Sequence, residues 1–473
     1  MSARAELPPP AAALFPDAPT RLRIEDALTR ALLAATRRVE QGSVLPTLSR
    51  EQLRAELAPF DFDTPRALES LLEWVVARLE HGVVHMNHPR YFGLFNPPAN
   101  FPAQCADRIA GAFNPQLASS GSSPLPVEME AHVIRALAQR AGLPPGSGGH
   151  FTTAGSEANY TALVCALTHA EPRFAREGVR AFGAPVAMYT SRECQPAWFK
   201  IVHQAGIGRD GLRLIATDGR GRLDPVALAQ ALAADRARGV VPVLIAPTAG
   251  TTGAGMIDPL AECAHIARAG RIWLHVDAAW GGAALASARL RPLLAGLELA
   301  DSVTIDAHKW FATTMGCGMF ITREPQALQA AFGVSAEFMP SSVSQLDPYL
   351  TSVQWSRRFL GLRLFLALGA AGWSGYARHL ERAVAVAEQI GAALSERGWA
   401  VVNDSPLAVL CLRPPRGAPP VREIVQRTLA SGRAWVAVAR YEGEDLVRVC
   451  VTHGESSRAD VEELVAALEA SRG

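Results

Sequence analysis

Lysine is the first scarcity of this sequence. The chain has 473 residues with 46 Lys plus Arg, yet only two are lysines, Lys200 and Lys309. Arginine replaces lysine well as a surface charge, but its guanidinium stays protonated and cannot act as an amine nucleophile. A chain-wide arginine preference is most simply a coding bias, which would make both lysines chance survivors; a need for an amine is the competing reading. Net charge is scarce too, at +1, and gives no reason to expect a nucleic-acid or anionic-membrane partner. No apolar run reaches the roughly 18–20 uncharged residues that span a bilayer. The seven cysteines are odd in number, and none are paired at CxxC spacing. They read as buried thiols of a reducing compartment, not as a disulfide framework or a zinc site. The opening MSARAELPPPAAALFPD lacks a charged-then-apolar signal and is broken by prolines, so a frayed arm and a soluble, cytoplasmic protein are expected.

What is present is organised in stretches. Amphipathic helices are expected at about 22–40 and 64–81, across a Pro-containing connection. HPRYFGLFNPPANFP then suggests an extended segment packed on a surface. From about 127 the pattern alternates. Helical stretches near 127–141 and 156–169 precede PVAMY (185–189), LRLIA (212–216), a helix near 225–237, VPVLIA (241–246), a helix near 259–269 and IWLHV (272–276). SVTI (302–305) and CGMFIT (317–322) follow. Short apolar runs separated by helices mark an α/β layer with a mostly parallel sheet. A long helical region, about 354–396, leads to strands near 407–412, 434–439 and 446–452 and a helix near 457–470, which suggests a small α+β unit.

Four segments turn polar or glycine-rich where an apolar run stops, and ligands of such folds bind at the carboxyl ends of strands. TTAGSEAN (152–159) leads small residues into a helix, where Gly155 and Ser156 could present N–H groups and a hydroxyl to a phosphate; helix capping alone would look the same. PTAGTTGAG (247–255) places Thr248 above the sheet, or is a plain turn. In HVDAAWGG (275–282), Asp277 ends an apolar strand and needs a partner there. It is either a loop cap or a carboxylate that pairs with a protonated ring nitrogen. The fourth is TIDAHKWF, where a lysine buried beside aromatics becomes a usable nucleophile toward aldehydes. A phosphate cradle, an acid for a pyridinium and an amine for an imine are what pyridoxal 5'-phosphate (PLP) asks of a protein.

With TAGSEAN, GTT, HVDAAWGG, DAHKW and QWSRRFLGLRLF in this order, the chain resembles the group II PLP-dependent amino-acid decarboxylases, of which aromatic-L-amino-acid decarboxylase is the familiar example. The resemblance implies a fold-type-I PLP-dependent transferase architecture. It also implies an N-terminal helical dimerisation segment (1–88), a large α/β domain (89–360) and a small C-terminal α+β domain (361–473). It implies a homodimer with shared active sites, an amino-acid substrate, and decarboxylation to the amine through an external aldimine and quinonoid. By the same resemblance Lys309 holds the cofactor and Asp277 pairs with the pyridine nitrogen. Gly155, Ser156 and His308 lie near the phosphate, joined by Asp306, and Thr248 and Ala279 lie near the ring. Lys200, in a helix-like run, reads as a solvated or phosphate-side charge.

Two positions depart from the family pattern. Where most members stack a histidine on the cofactor ring, this chain has Gln195, as bacterial glutamate decarboxylases do. A glutamine can stack but cannot act as an acid or base near neutral pH. Where a mobile loop of the aromatic-amino-acid decarboxylases carries a proton-donating tyrosine, the aligned residue is Phe338 in SAEFMPSSV. In related plant aldehyde synthases a Tyr-to-Phe change there goes with oxidative release of an aldehyde, so an oxygen-consuming aldehyde synthase is the alternative. In the expected substrate wall Phe95 is retained, but Leu94, Gln116 and Ala118 fall where bulkier groups are usual, which weakens the case for a catechol or indole. His81, His85 and His88 in HGVVHMNH have the spacing of one helix face. With no carboxylate or cysteine to complete the set, no metal is expected.

Overall fold

The computed structural model describes residues 11–334 and 347–473. Phe338 lies outside the described residues, as do the first ten residues of the N-terminal arm.

Among the described residues, eleven strands form two sheets. The larger contains β1 (Gly148–Thr152), β2 (Val186–Ser191), β3 (Leu212–Ile215), β4 (Val241–Ala246), β5 (Trp273–Asp277), β6 (Ser302–Asp306) and β7 (Gly318–Thr322), in the order β1-β7-β6-β5-β4-β2-β3. From β6 to β3 every pairing is parallel, and β7 is antiparallel to both its neighbours. Strands β2, β5, β6 and β7 are buried at every residue. Helices cover both faces of such a sheet, which is why its strands read as continuous apolar runs. The fold is thus α/β, with a mostly parallel central sheet flanked by helices. The smaller sheet joins β8 (Ala400–Val401), β9 (Val409–Arg413), β10 (Ala437–Tyr441) and β11 (Glu444–Cys450), all antiparallel, in the order β10-β11-β9-β8. The helices Val421–Ala430 and Arg458–Arg472 accompany it.

Local chemistry accounts for several helix starts. Asp17 accepts from the N–H of Thr20 and starts Ala18–Gln41; Ser49 and Gln52 form a capping box on Arg50–Leu57. That second helix occupies the connection expected between the two opening helices, the later of which is Leu68–Gly82. The extended HPRYFGLFN segment is more deeply placed than a surface strap: Tyr91, Phe92 and Phe95 are buried, and Tyr91 bridges to Trp435. Its PPANFP end opens an unexpected helix, Phe101–Phe113, capped by the side chain of Asn100. The long helical region begins at Leu362, so QWSRRF is not helical, and at Gly372 (φ 64) the helix Leu362–Ser395 breaks direction. The helix expected to carry three histidines ends at Gly82. His81 therefore bonds Thr47, His85 the Glu80 carbonyl and His88 the Arg90 N–H, and the three do not converge.

Candidate active site

Five of the segments singled out in the sequence meet along one edge of the large sheet. Thr152, Ser191, Ala246, Asp277 and Asp306 are the last residues of parallel-running strands, so the loops after them share the crevice at the strand carboxyl ends. Strand β7 runs the other way and starts at this edge with Gly318.

Lys309 follows β6 by three residues. Its Nζ lies 3.1 Å from Asp306 Oδ2 and 5.7 Å from the centre of the Phe95 ring. The side chain is one-fifth exposed, so the amine is paired and accessible, where the sequence suggested one buried among aromatics. His308 is held through Nδ1, 3.0 Å from the Cys317 carbonyl, and turns Nε2 toward Asp306 at 3.9 Å. Asp306 is enclosed by glycines. A Cβ on Gly155 would sit 2.8 Å from its Oδ2, and one on Gly318 2.8 Å from its Oδ1.

Asp277 is buried at the end of β5. Its Oδ2 accepts from Asn159 Nδ2 at 2.8 Å and its Oδ1 from the Ala279 N–H at 3.2 Å. Burial pushes its pKa up, while the charge of Lys309 and the Asn159 bond oppose that. Thr248 pairs with Asp277 through a parallel bridge, and its peptide N–H donates to Asp258 Oδ2 at 2.7 Å. Its buried hydroxyl has no partner among the described residues.

Helix Gly155–Ala170 begins against the same edge with no side-chain cap at Ala154. The N–H groups of Glu157 and Ala158 bond the Ala154 carbonyl, which leaves those of Gly155 and Ser156, at the uncapped start of the helix, where an anion is favoured. Ser156 also lines a groove of about 580 Å³ with Glu157, Tyr160, Gln195 and Lys200. Gln195 Oε1 accepts from the Ala197 N–H, which leaves its NH2 free of that turn. The exposed Lys200 thus stands on the helix N-terminal side of the site, compatible with the phosphate-side reading.

Sequence reasoning missed three residues here. Asn159 stands one turn beyond Gly155 on the helix face turned to Asp277. His275 lies inside the apolar strand β5. Arg448, 3 % exposed on β11, carries its guanidinium 4.6 Å over Phe95 and donates to the carbonyls of Gly93 and Gly253. His275 and Arg448 are polar residues interrupting apolar runs, which was the available signal, whereas Asn159 sits among polar neighbours in GSEANYT and carried none. Behind the site Phe95 stacks on Trp280 at 4.2 Å and Trp280 on Trp310 at 4.7 Å.

The sequence model described as the pyridoxal-dependent decarboxylase conserved domain matches residues 51–413. The chain belongs to this family. A tyrosine decarboxylase of Oryza sativa subsp. japonica is 32 % identical over 78 % of this chain and 71 % of its own length. An L-2,4-diaminobutyrate decarboxylase of Rhizobium meliloti (strain 1021) is 35 % identical over 63 % and 59 %. Among solved structures, mouse CSAD superposes with a TM-score of 0.90 at 25 % identity, covering 96 % of this chain and 99 % of that one. Oryza sativa TDC with PLP and tryptamine gives the same score and identity over 97 % and 99 %. Rhodiola rosea 4-hydroxyphenylacetaldehyde synthase shares the fold, with a TM-score of 0.87 at 22 % identity over 97 % and 98 %. The decarboxylase is a PLP-dependent carboxy-lyase, and PLP is its cofactor. The site fits that group: an uncapped helix end for a phosphate, an orphaned Thr248 hydroxyl, a buried carboxylate and an accessible amine.

Proposed function

We propose that this decarboxylase removes the α-carboxyl group of an L-amino acid and returns the amine, with Lys309 as the residue that links covalently to the cofactor. The observation that carries the reading is the convergence of the Lys309 amine and the Asp277 carboxylate, from adjacent strands, at one strand-end crevice. Bound PLP supplies an electron sink for the pair left when the carbon–carbon bond breaks. Asp277 holds a proton on the ring nitrogen, and so keeps that sink electron-poor. The first-turn N–H groups at Gly155 and Ser156 bind the phosphate, aided by His308. Thr248 and Ala279 sit against the ring, and Gln195 lays its amide along the opposite face. Phe95 walls the substrate side. Leu94 is half exposed, and Gln116 is turned to Ser356 at 3.3 Å, so this wall does not favour a large aromatic side chain.

A second reading is supported by Gln195 and Phe338, neither of which titrates near neutral pH. Without a proton donor the carbanion left after decarboxylation can react with oxygen. The balance is amino acid plus O2 plus H2O giving aldehyde, CO2, NH3 and H2O2. A panel of L-amino acids assayed for CO2, oxygen uptake and product mass separates the two. Amine formation without oxygen uptake supports the first; stoichiometric peroxide and aldehyde support the second, and Phe338→Tyr should then restore amine. Absence of CO2 from every amino acid would overturn both.

We also propose a homodimer with shared active sites, the division at 88/89 and 360/361, and a cytoplasmic location. Support for the dimer comes from Phe101 and Phe113, on one helix and 73 % and 82 % exposed, with Leu32 and Leu33 exposed on the first helix. Two separate sheets support the division. No helix among the described residues is long and apolar enough to cross a membrane. Phe113→Arg should shift the sedimenting species toward monomer and lower activity with it.

A further inference from the structure

We propose that Asn159 and His275 are positioning residues, which fix the orientation and ionisation of Asp277 through a hydrogen-bond relay that runs back from the carboxylate to Ser302 and the Trp273 indole. The inference rests on the reading of Asp277 given above, and extends it to residues that touch neither substrate nor cofactor.

The relay can be followed donor by donor. Trp273 Nε1 lies 2.8 Å from Ser302 Oγ, and an indole N–H can only donate. Ser302 Oγ keeps a hydroxyl proton and a second lone pair, and it lies 2.8 Å from His275 Nδ1; with Asp277 ionised the hydroxyl donates to that nitrogen. A neutral imidazole that accepts at Nδ1 carries its proton on Nε2, which faces Asn159 Oδ1 at 3.0 Å. The Thr304 hydroxyl donates to that same oxygen at 2.7 Å. With Oδ1 doubly engaged, the amide must turn its NH2 to Asp277 Oδ2. The flipped amide would set its NH2 against two donors and its oxygen against a carboxylate. The ionised Asp277 carboxylate draws the amide NH2, and the Nε2–H to Oδ1 and Ser302 hydroxyl to Nδ1 links follow from it, with the Thr304 hydroxyl also 3.1 Å from Nε2.

Burial makes this arrangement costly to break. Trp273, Ser302, His275, Thr304, Asn159 and Asp277 are each at most 4 % exposed, so water cannot stand in for a missing partner. Burial also holds His275 neutral, pushing its pKa down to about 3. The other charged groups acting on Asp277 are Lys309, which favours its ionisation, and Asp306, which opposes it. Asn159 supplies the one side-chain hydrogen bond that favours the carboxylate. Its own helix starts at the phosphate-side N-terminus, so the relay joins β5, β6 and that helix behind the cofactor.

The test is titration of full-length apoenzyme with PLP, recording affinity and the pH midpoint of the cofactor absorbance, beside thermal midpoints of the apo forms. His275→Leu keeps the bulk and loses both polar atoms, and should weaken PLP by about 10- to 100-fold. His275→Gln keeps a donor near the Nε2 position and should recover most of that loss, which a packing role alone would not predict. Asn159→Asp sets a second carboxylate against Asp277 and should shift the pH midpoint by about one unit or more. Wild-type affinity and midpoint in His275→Leu and Asn159→Asp overturn the relay. If His275→Leu does not fold, Ser302→Ala decides, since it removes the donor to His275 Nδ1; wild-type values there overturn the relay too. Asp277→Asn separates the two levels. If it moves both readouts while the relay variants move neither, only the relay fails; if it moves neither, the reading of Asp277 fails with it.

Discussion

Oδ2 of Asp306 lies 3.1 Å from the amine of Lys309, three residues further along the chain. Strand β6 ends at Asp306 and the chain turns at once, so carboxylate and amine face each other across the turn. Lys309→Arg keeps the charge next to Asp306 but removes the only group at this position that can form an imine. The variant should still fold, since the buried Asp306 keeps a countercharge. Absorbance spectroscopy should find no covalently held cofactor and no turnover. An intact cofactor band in this variant would remove Lys309 from the site.

Gly155 touches the same carboxylate from the other side. An alanine there would favour the helix by about 0.5–1 kcal/mol, but its Cβ would press on Asp306 Oδ2 at 2.8 Å. Gly318 blocks retreat on the far side, so the carboxylate must swing and disturb Lys309. Gly155→Ala should therefore unfold no more readily than the wild type, yet lose activity on the order of 10²-fold, as expected for a displacement of about 1 Å. Melting curves and steady-state rates on one preparation check both halves.

Arg357 and Glu130 form a buried pair at 2.7 Å, away from the chemistry. Glu130 also accepts from the Gly361 N–H, and Arg357 donates to the Phe151 carbonyl. The pair thus ties helix Pro124–Arg140 to β1 and to the turn before helix Leu362–Ser395. Arg357→Leu leaves Glu130 buried without a countercharge and should cost about 3–5 kcal/mol. The double change Arg357→Leu with Glu130→Leu should cost less than Arg357→Leu alone. Urea unfolding of the three forms measures it.

Asp258 is fully enclosed, and its carboxylate accepts from the N–H groups of Leu223 and Thr248, each at 2.7 Å. Burial outweighs those bonds and pushes its pKa from 3.8 to about 7. A carboxyl with a raised folded pKa binds its proton more tightly when folded. Its contribution is complete below pH 3.8 and is lost as pH rises through about 7. Asp258→Asn should remove a slope approaching about 1.4 kcal/mol per pH unit within that window. The difference in unfolding free energy between the two proteins, followed from pH 4 to 8, isolates this group from other carboxylates. Parallel curves would refute it.

Much of the fold is legible in the sequence where burial on both sheet faces writes an unbroken apolar run, as in VPVLIA, IWLHV and SVTI. Strand β1, GGHFT, carries no such run. It exists because β7 offers it an antiparallel edge, Gly149 pairing with Ile321, 172 residues further on. Helix Phe101–Phe113 had a readable start, Asn100 with Pro102 two residues on, obscured by the prolines before it. Lys309, Asp277 and Thr248 stand out because each interrupts a sequence where a strand ends. His275 and Arg448 lie within apolar segments and Asn159 within the polar start of a helix, and what such a residue does depends on what faces it.

The sequence by itself determined the functional groups: one amine after a strand, a carboxylate closing a strand, small residues opening a helix. Those properties belong to functional groups and their neighbours in the chain. Tertiary structure alone decided how the groups are held. Asn159 meets Asp277 across 118 residues of sequence, and His275 meets Asn159 across 116. Contacts of that range follow from the order and register of strands, because a hydrogen bond is made by distance in space.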